Sequence, residues 1–436
     1  MRKNKILSGK WAFINGNIYD PFKKVNIEGS ILLEDGIVIA VGDVDISDAQ
    51  QIDCSGKIIT AGFIDLHAHF RVPGREDKET LETGAMSAMA GGFTRVCVMP
   101  NTDPPLDTPE AIRFIKDKAE SVPIQVYPIG AITIGQNGTE IAEYGEMINE
   151  GAVALSDDGL PVENGQVLRL ALEYSSMYGV PVINHAEDVP LRNDGLMNES
   201  PLSTRLGLDG NPDISESVMV FRDLEIAEFV DGRIHIPHVS TKKSVDIIRQ
   251  YKAKGVNVTA EVTPHHLGLT ENSLIDFDTN AKVAPPLRKD IDRKALIQGL
   301  KDGIITGIAT DHAPHTIEDK EKDMKHAPCG MIGLESAFAL SNTTLQGDGF
   351  PIEAVIGWLT AGPASVLEWE INAFEVGTPA EITIIDDSSI WEMSVEHIYS
   401  KSKNSPMLGM EFKGEIVMTV SGDYAFGKVD QFKFID

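Results

Sequence analysis

The stretch Gly62-Phe63-Ile64-Asp65-Leu66-His67-Ala68-His69-Phe70-Arg71 decides the fold of this chain. It begins as an apolar strand and ends in two histidines separated by one residue. Because strand side chains alternate with period two, both imidazoles point to the same side, as two ligands of one metal ion do. Imidazole suits zinc and related transition metals, and the arginine on the same face could hold an anionic group. An isolated His-x-His pair is more often an ordinary pair of histidines, so the interpretation depends on partners elsewhere in the chain.

The composition indicates a folded, acidic protein. The 436 residues are 42% hydrophobic and 24% charged, which suffices for two or three ordinary domains or for one large α/β barrel with an appendage. With 38 basic and 66 acidic residues, the net charge of −28 argues against nucleic acid or an anionic membrane as a partner. Cys54, Cys97 and Cys329 lie far apart and predict no disulfide framework. No apolar run of about 18 residues occurs, so we expect a cytoplasmic protein.

After residue 62, strand-like segments alternate with helical ones. The strand-like segments cover residues 63–68, 93–99, 125–130, 152–156, 181–185, 234–238, 257–262 and 304–310. Eight such units predict a (β/α)8 TIM barrel. Helical segments lie between them, for example at 80–90, 109–120, 164–178 and 240–253, the last with Ser240 or Thr241 placed to cap it.

Both ends of the chain have a different pattern. From Trp11 to about Asp53, short alternating runs are broken by turn signals such as Asn15-Gly16-Asn17, which predicts hairpins. From about residue 376 the β pattern returns. We therefore predict a small β-sandwich-like domain built from the N- and C-terminal segments. The predicted division is 1–61 for the N-terminal part of the β domain, 62–365 for the barrel and 366–436 for the C-terminal part.

Polar residues stand where the predicted barrel strands end, which is where barrel enzymes carry their chemistry. Five strand ends supply His67, His69, Asp157 or Asp158, His185, His238 and Asp311. One strand histidine is more often a satisfied core residue, but this set of ligand types at one mouth favours a metal site. Of the two adjacent aspartates, one is expected to face the metals and the other to shape the turn.

Three further histidines receive other predictions. His235 has the opposite parity to His238 on the same strand, so a packing or outer-face position is favoured. His265 and His266 follow the seventh strand, where support of the site is favoured over direct ligation.

Four histidines and two carboxylates suffice for two metal ions that share bridging ligands. A hydroxide held between two ions is a nucleophile at neutral pH, and Asp311 could carry its proton to a leaving nitrogen. Arg71, together with Asn101 after the second strand, could fix a substrate carboxylate or amide. The residues predict a metal-dependent hydrolase that acts on a small anionic amide.

Several motifs also carry a family resemblance. They are Gly62-Phe63-Ile64-Asp65-Leu66-His67-Ala68-His69-Phe70-Arg71, Pro100-Asn101-Thr102, Asn184-His185-Ala186-Glu187, Ala284-Pro285-Pro286-Leu287-Arg288 and Thr310-Asp311-His312-Ala313-Pro314-His315. These motifs resemble the amidohydrolase superfamily, specifically the bacterial type I dihydroorotases. The resemblance covers essentially the whole chain, including both pieces of the β domain.

The resemblance implies reversible cyclisation of N-carbamoyl-L-aspartate to (S)-dihydroorotate in pyrimidine synthesis. It implies two Zn²⁺ ions held by His67, His69, Asp158, His185, His238 and Asp311. Only the family's spacing to the fifth-strand histidine selects Asp158 over Asp157. It further implies substrate contacts from His69, Arg71, Asn101 and His315 and from the backbone of Cys329 and Gly330. A homo-oligomer and an aspartate carbamoyltransferase partner complete these expectations.

Two alternatives compete with this interpretation. Allantoinases and dihydropyrimidinases act on related cyclic amides, but they typically bridge their metals with a carboxylated lysine on the fourth strand. This chain has no lysine between Lys118 and Lys242. A non-catalytic subunit that scaffolds aspartate carbamoyltransferase would lack metal ligands, and every one is present here. The chain departs from the family pattern at Ala284, where asparagine is common, and at Cys329, where an aromatic residue is common.

Overall fold

A parallel barrel forms the centre of the computed structural model, which describes residues 2–428 and 434–435. In that part of the chain the barrel strands are, in order, Phe63–Ala68, Phe93–Val98, Gln125–Pro128 with Gly130–Ala131, Leu155–Ser156, Val182–Ile183, Ile234–Ile236, Val258–Val262 and Gly307–Ile308. Neighbours in this order pair in parallel, and a bridge between Ala68 and His312 joins the end of the barrel to its beginning. The predicted (β/α)8 TIM barrel is confirmed.

Asp65 fastens the first barrel strand to the chain that follows the eighth. Its Oδ1 accepts a hydrogen bond from the backbone N–H of Thr310 at 2.9 Å, and its Oδ2 accepts one from the Thr310 hydroxyl at 2.6 Å. Burial raises the pKa of Asp65 to about 6. The two ends of the barrel, which carry three of the predicted metal ligands, are therefore held together by buried side-chain bonds.

Four barrel strands are shorter than predicted by two or more residues. The fourth ends at Ser156 as predicted but begins only at Leu155, while the fifth, sixth and eighth end two or three residues before His185, His238 and Asp311. His238 and Asp311 have φ values of 32° and 47°, which do not belong to an extended strand. Their side chains therefore stand on the turns after the strands and not on the strands themselves.

Helices cover the outside of the barrel, and several have side-chain caps, one of them at a predicted place. Thr80 and Thr108 cap their helices, and Thr241, not Ser240, caps the helix after the sixth strand. The α-helices are Leu81–Ala90, Pro109–Ala119, Tyr144–Asn149, Gly165–Ser176, Val189–Arg192, Pro201–Leu206, Ile214–Val230, Lys242–Lys254, Pro264–Gly268, Asp290–Lys301, Ile317–Lys320, Ala337–Gly347, Ile352–Leu359 and Ala361–Val366. The 3₁₀ helices are Ile134–Gln136, Glu271–Leu274, Thr279–Ala281, Leu334–Ser336 and Val395–His397. Among the described helices, none combines the length and apolar character needed to cross a membrane.

The two ends of the chain share a β domain. One sheet runs in the order Lys3–Ile6, Tyr424–Gly427, Glu411–Ser421, Glu381–Glu392, Ile58–Ala61, Asn17–Asp20 and Val25–Ile27. A second sheet runs in the order Phe434–Ile435, Gln50–Asp53, Lys10–Ile14, Ser30–Glu34 and Ile37–Gly42. A parallel pair, Met197–Asn198 with Gly210–Asn211, lies outside both sheets. N- and C-terminal strands thus pair directly, while the division after residues 61 and 365 stays a prediction.

Not all of the C-terminal part stays in the β domain. Residues 393–410, which we call the mouth segment, connect two long antiparallel strands and extend over the barrel. Met393, Ile398 and Met407 are buried in one cluster with barrel residues such as Leu287 and Leu340. The sequence pattern did not predict this excursion, because the segment has no strand or helix pattern of its own.

Candidate metal centre and substrate cavity

Asp158 lies among four imidazoles. Its Oδ2 is 3.3 Å from Nε2 of His67 and 3.6 Å from Nε2 of His69. Its Oδ1 is 3.2 Å from Nδ1 of His185 and 3.1 Å from Nε2 of His238. One carboxylate thus turns a different oxygen toward each pair of imidazoles, which is the arrangement of a carboxylate that bridges two metal ions.

Asp311 completes the cluster on the side of the first strand. Its Oδ1 lies 3.2 Å from Nε2 of His69 and 3.7 Å from Nε2 of His67. Two sets of ligand atoms, each within 4.8 Å of one another, share His67: one adds Asp158 and His238, and the other adds His69 and Asp311. All of the predicted metal ligands are therefore brought together, with His185 next to His238 at 3.0 Å.

Two of the imidazoles have a buried or half-buried acceptor on the nitrogen that faces away from the cluster. Nδ1 of His67 lies 2.9 Å from Oε1 of Glu261, and Nδ1 of His69 lies 2.7 Å from Oδ1 of Asn101. An acceptor there fixes the proton on Nδ1 and turns the Nε2 lone pair inward. Sequence reasoning missed Glu261; its one signal was a single charged residue inside the apolar strand Val258–Val262.

His185 is oriented in the opposite sense. Its Nδ1 faces Asp158, while its Nε2 lies 3.6 Å from Oε2 of Glu187. Glu187 accepts a hydrogen bond from Nδ2 of Asn211 at 3.0 Å, which holds the carboxylate in place. Glu187 belongs to a motif that the sequence singled out, but no role was assigned to it.

The donor set fits a metal ion. Nε2 of His67 is buried and makes no hydrogen bond within the part of the chain that the structure describes. Buried polar atoms are normally paired, so this lone pair calls for a ligand. The separations of 3.1 to 3.6 Å between Asp158 oxygens and imidazole nitrogens match tetrahedral zinc, whose ligands at about 2.0–2.2 Å are about 3.3–3.5 Å apart.

The cluster is strongly polarised by its own charges. Burial acts to raise the pKa of Asp158, but the imidazoles of His67, His185 and His238 outweigh it and hold that pKa well below its usual range. Burial acts to lower the pKa of His185, but Asp158 and Glu187 raise it to about 10. His185 therefore holds a proton that a bound metal ion must replace, because only neutral imidazole is a ligand.

Asp157 has a different task from Asp158. Its Oδ1 accepts hydrogen bonds from the backbone N–H groups of Ile132 and Thr133 at 2.8 and 3.1 Å, and its Oδ2 accepts one from the Thr133 hydroxyl. It thereby anchors the turn after the third strand, as the turn-shaping alternative expected. Asp158 is the aspartate that lies among the imidazoles.

Two histidines outside the cluster support it. His235 is buried, with Nε2 3.1 Å from Oε2 of Glu261, so it lies inside the barrel and not on its outer face. Of the two positions predicted for His235, the buried packing position agrees with the structure and the outer-face position does not. His266 is fixed by the Thr263 hydroxyl at 2.7 Å and by the carbonyl of Pro285 at 3.1 Å, a supporting position as expected.

A cavity of about 250 Å³ opens beside the cluster. It is lined by His69, Arg71, Asn101, Asp158, Gly159, His185, Ala284, Asp311, Ala313, His315, Cys329 and Gly330. All of the residues predicted to bind substrate are in this set. A larger cleft of about 900 Å³ lies at the other end of the barrel, next to the β domain, but none of the predicted site residues lines it.

Arg71 stands at this cavity without an acidic partner. Burial lowers the pKa of Arg71 to about 10. Its Nε donates to the carbonyl of Pro314 at 3.3 Å, and among the described residues it forms no ion pair. A partly buried charge without a counter-ion is costly, so the cavity offers a ready site for an anion.

His315 forms the neighbouring wall of the cavity. Its Nε2 lies 2.8 Å from the carbonyl oxygen of Cys329, and its Nδ1 lies 3.0 Å from Nζ of Lys78. Since an ammonium group only donates, Nδ1 accepts and Nε2–H is the donor. Burial, reinforced by Arg71 and Lys78, lowers the pKa of His315 to about 2. The ring is therefore neutral, and sequence reasoning missed the buried Lys78 that fixes it.

Comparison with known proteins supports this description. Residues 56–244 match the model of the family described as dihydro-orotase-like. The dihydroorotase of Desulforapulum autotrophicum is 45% identical over 94% of this chain and 96% of its own length. The dihydroorotase of Caldanaerobacter subterraneus is 42% identical over 97% of this chain and 98% of its own.

The fold is also shared with solved structures. The L-hydantoinase (dihydropyrimidinase) of Arthrobacter aurescens superposes with a TM-score of 0.83 at 24% identity, covering 94% of both chains. The dihydropyrimidinase of Brevibacillus agri gives a TM-score of 0.81 at 21% identity. At this identity the likeness concerns the barrel and its β domain alone. From its identity to curated relatives over nearly the whole length, this chain belongs to the dihydroorotase family.

Proposed function

We propose that this chain is a dihydroorotase, which interconverts N-carbamoyl-L-aspartate and (S)-dihydroorotate. The observation that carries the proposal is Arg71, which stands beside the histidine cluster without an acidic partner. Both substrates carry a carboxylate on the carbon that is bonded to the nitrogen that does not react. Neutral cyclic amides such as allantoin and dihydrouracil have no carboxylate. A guanidinium in the wall of the cavity beside the cluster binds that group away from the amide bond that is made or broken.

We propose that the metal is zinc, with two ions per subunit. Each of the six side chains in the cluster is a ligand type that zinc accepts: His67, His69, Asp158, His185, His238 and Asp311. When bound, zinc activates water at neutral pH and polarises a carbonyl group. The metal content of the purified protein and its dependence on chelators test this assignment.

Asp311 is proposed to move the proton. In ring opening, water adds across the cyclic amide: its oxygen bonds to the carbonyl carbon, the carbon–nitrogen bond breaks, and the nitrogen gains a proton. Asp311 takes the proton from the water at a carboxylate oxygen and returns it to the nitrogen. In ring closure the same carboxylate carries the proton in the opposite direction, and water leaves. Its position between His69 and the cavity suits this transfer.

The remaining wall is proposed to orient the substrate. The Oδ1 of Asn101 already accepts from His69, which leaves its Nδ2 donors for the substrate. His315 is neutral and lies beside Arg71 with its N–H bonded to the carbonyl of Cys329, and Cys329 and Gly330 contribute backbone atoms. Ala284 also lines the cavity but has no polar side-chain atom, so only its backbone is available there.

A substrate panel tests the proposal. Zinc-loaded protein is expected to interconvert dihydroorotate and carbamoyl aspartate and to leave allantoin and dihydrouracil unchanged. Activity on allantoin alone would contradict the proposal. The Asp311→Ala variant, which lacks the proton-carrying carboxylate, is expected to have no turnover.

Assembly and location are proposed from the family resemblance. We expect the chain to act in the cytoplasm, to form a homo-oligomer and to accept aspartate carbamoyltransferase as a partner. Repeating the panel and a size-exclusion measurement with and without added carbamoyltransferase tests both assembly predictions. A chain that elutes as a monomer, alone and with the transferase, would contradict them.

A further inference from the structure

The mouth segment reaches the substrate cavity from the β domain. It binds the barrel loops through buried polar contacts on both sides. The hydroxyl of Ser402 donates to the carbonyl of Lys78 at 2.7 Å, and the backbone N–H groups of Tyr399 and Ser400 both donate to Oε1 of Glu335 at 2.9 Å. A piece of chain from outside the barrel is therefore fixed next to the side chains that line the cavity.

Asn404 is a residue of this segment that is hydrogen-bonded directly to the cavity wall. Its Oδ1 accepts from the backbone N–H of His315 at 3.0 Å. Its Nδ2 donates to the carbonyls of Ala313 at 3.1 Å and Gly330 at 3.2 Å. Its own carbonyl accepts from the N–H of Ile332 at 3.0 Å, and its exposed fraction is 4%. One buried amide thus joins the loop after the eighth strand to the loop that carries Gly330.

The spacing between these two loops is tight. Gly330 has a φ of 127°, and a Cβ built on it would lie 2.7 Å from the Cβ of Ala313 and 3.0 Å from Nε2 of His315. Not even a methyl group fits between the loops, so a small displacement of either loop changes the shape of the wall. The hydrogen bond from His315 to the carbonyl of Cys329 depends on the same spacing.

We propose that Asn404 is a positioning residue for substrate binding, an inference that rests on the proposed dihydroorotase function. Asn404 does not line the 250 Å³ cavity; it acts through His315 and Gly330, which do. Its side-chain hydrogen bonds go to His315, Ala313 and Gly330 and not to the predicted metal ligands, so we expect metal binding not to depend on it. Asn404 sets the two loops at the separation at which His315 and the Cys329-Gly330 backbone can grip the substrate together.

This role predicts a separation between KM and kcat. Asn404→Ala removes three hydrogen bonds that shape the grip on the non-reacting part of the substrate. Loss of such binding raises KM and leaves kcat nearly unchanged. We expect KM for dihydroorotate to rise about tenfold or more, with kcat within about threefold of the wild type and zinc content unchanged.

Asn342 provides a matched control. It is also a buried asparagine that joins the barrel to the β domain, since its Nδ2 donates to Oδ1 of Asp387 at 3.2 Å and to the carbonyl of Lys413 at 3.0 Å. It does not line the cavity. Asn342→Ala is expected to lower thermal stability as Asn404→Ala does, with KM within about twofold of the wild type.

A second variant keeps the test decisive if Asn404→Ala fails to fold. Asn404→Asp keeps the shape and the acceptor for His315, but it places a carboxylate oxygen against the carbonyls of Ala313 and Gly330, so the same rise in KM is expected. If the wild type is active and KM is unchanged in the folded variants, the role of Asn404 is overturned. A wild type without turnover on either substrate would instead overturn the proposed function.

Discussion

Oε1 of Glu261 lies 2.9 Å from Nδ1 of His67, although 194 residues separate the two in sequence. The other oxygen of Glu261 lies 3.1 Å from Nε2 of His235. Burial acts to raise the pKa of Glu261, but His235 and His67 outweigh it and lower that pKa to about 2. A permanent carboxylate therefore orients the one imidazole that both sets of candidate metal ligands share.

The first prediction concerns this carboxylate. Glu261→Gln keeps an acceptor for His67 but removes its charge, so metal affinity is expected to fall by about 10- to 100-fold. Zinc retained during titration with a chelator measures the change. Glu335→Gln is the control, because Glu335 is a buried glutamate bound to backbone N–H groups of the mouth segment. Equal zinc retention in both variants would show that Glu261 does not tune the site.

The second prediction concerns the anion site. Arg71→Gln removes the partly buried guanidinium, and loss of one member of a close charge pair costs about 2–5 kcal/mol, or about 30-fold or more in kcat/KM. Zinc content is expected to be unchanged. Arg75→Gln is the control, since Arg75 is an exposed arginine that pairs with Asp77 at 3.0 Å. An Arg71 variant with wild-type kcat/KM for dihydroorotate would exclude the carboxylate assignment.

The third prediction separates a bridging ligand from a terminal one. Asp158 turns one oxygen toward each pair of imidazoles, whereas His238 lies at one end of the cluster. Asp158→Ala is therefore expected to lower the affinity for both zinc ions, and His238→Ala to lower mainly the affinity for one. Zinc per subunit after exhaustive dialysis measures the difference. Equal stoichiometries in the two variants would contradict a bridging role for Asp158.

The fourth prediction concerns pH and stability. Burial lowers the pKa of His266 to about 3, below its usual value of about 6.5. Below pH 6.5 the unfolded chain therefore binds a proton at His266 that the folded chain does not bind. The contribution of His266 to the free energy of unfolding is complete above pH 6.5 and is lost as pH falls below it. The loss amounts to about 1.4 kcal/mol per pH unit.

His266→Gln tests this linkage, because a glutamine amide can serve both Thr263 and the carbonyl of Pro285 without titrating. We expect the free energy of unfolding of the wild type to fall relative to that of the variant between pH 6 and 4, as measured by denaturant unfolding. Parallel pH profiles of wild type and variant would show that the pKa of His266 is the same in the folded and unfolded states.

Much of the fold follows from local pattern. The apolar run before His67 and the regular alternation of strand and helix signals predict the barrel, and the structure confirms it. The turn signals in the first 53 residues predict the hairpins of the β domain. Several strand lengths were overestimated, because apolar residues extend beyond the paired residues, as Ile304 and Ile305 do before the eighth strand and Ala309 does after it.

The sequence predicted which residues form the site, but not which residues hold them in position. Histidines and aspartates at the ends of predicted strands can be recognised in the sequence, because each follows a run of apolar residues. Glu261, Lys78 and Asn404 cannot be recognised in this way, since their partners lie 194, 237 and 89 residues away and only the closed fold brings them together. Parity alone could not decide between the two positions predicted for His235, because the point at which a strand ends is set by its neighbours.

The closure of the barrel between Ala68 and His312 has a consequence for biosynthesis. His69 and Asp311 face each other across 242 residues of sequence, so the ribosome delivers the first ligand long before the last. Synthesis proceeds at about 5–20 residues per second, and domains fold from the N-terminus as they emerge. The ligand set therefore stays incomplete for at least about ten seconds after His69 is made. Metal loading of this chain is therefore a late, essentially post-translational event, and a nascent chain stalled before residue 311 is expected to release zinc readily.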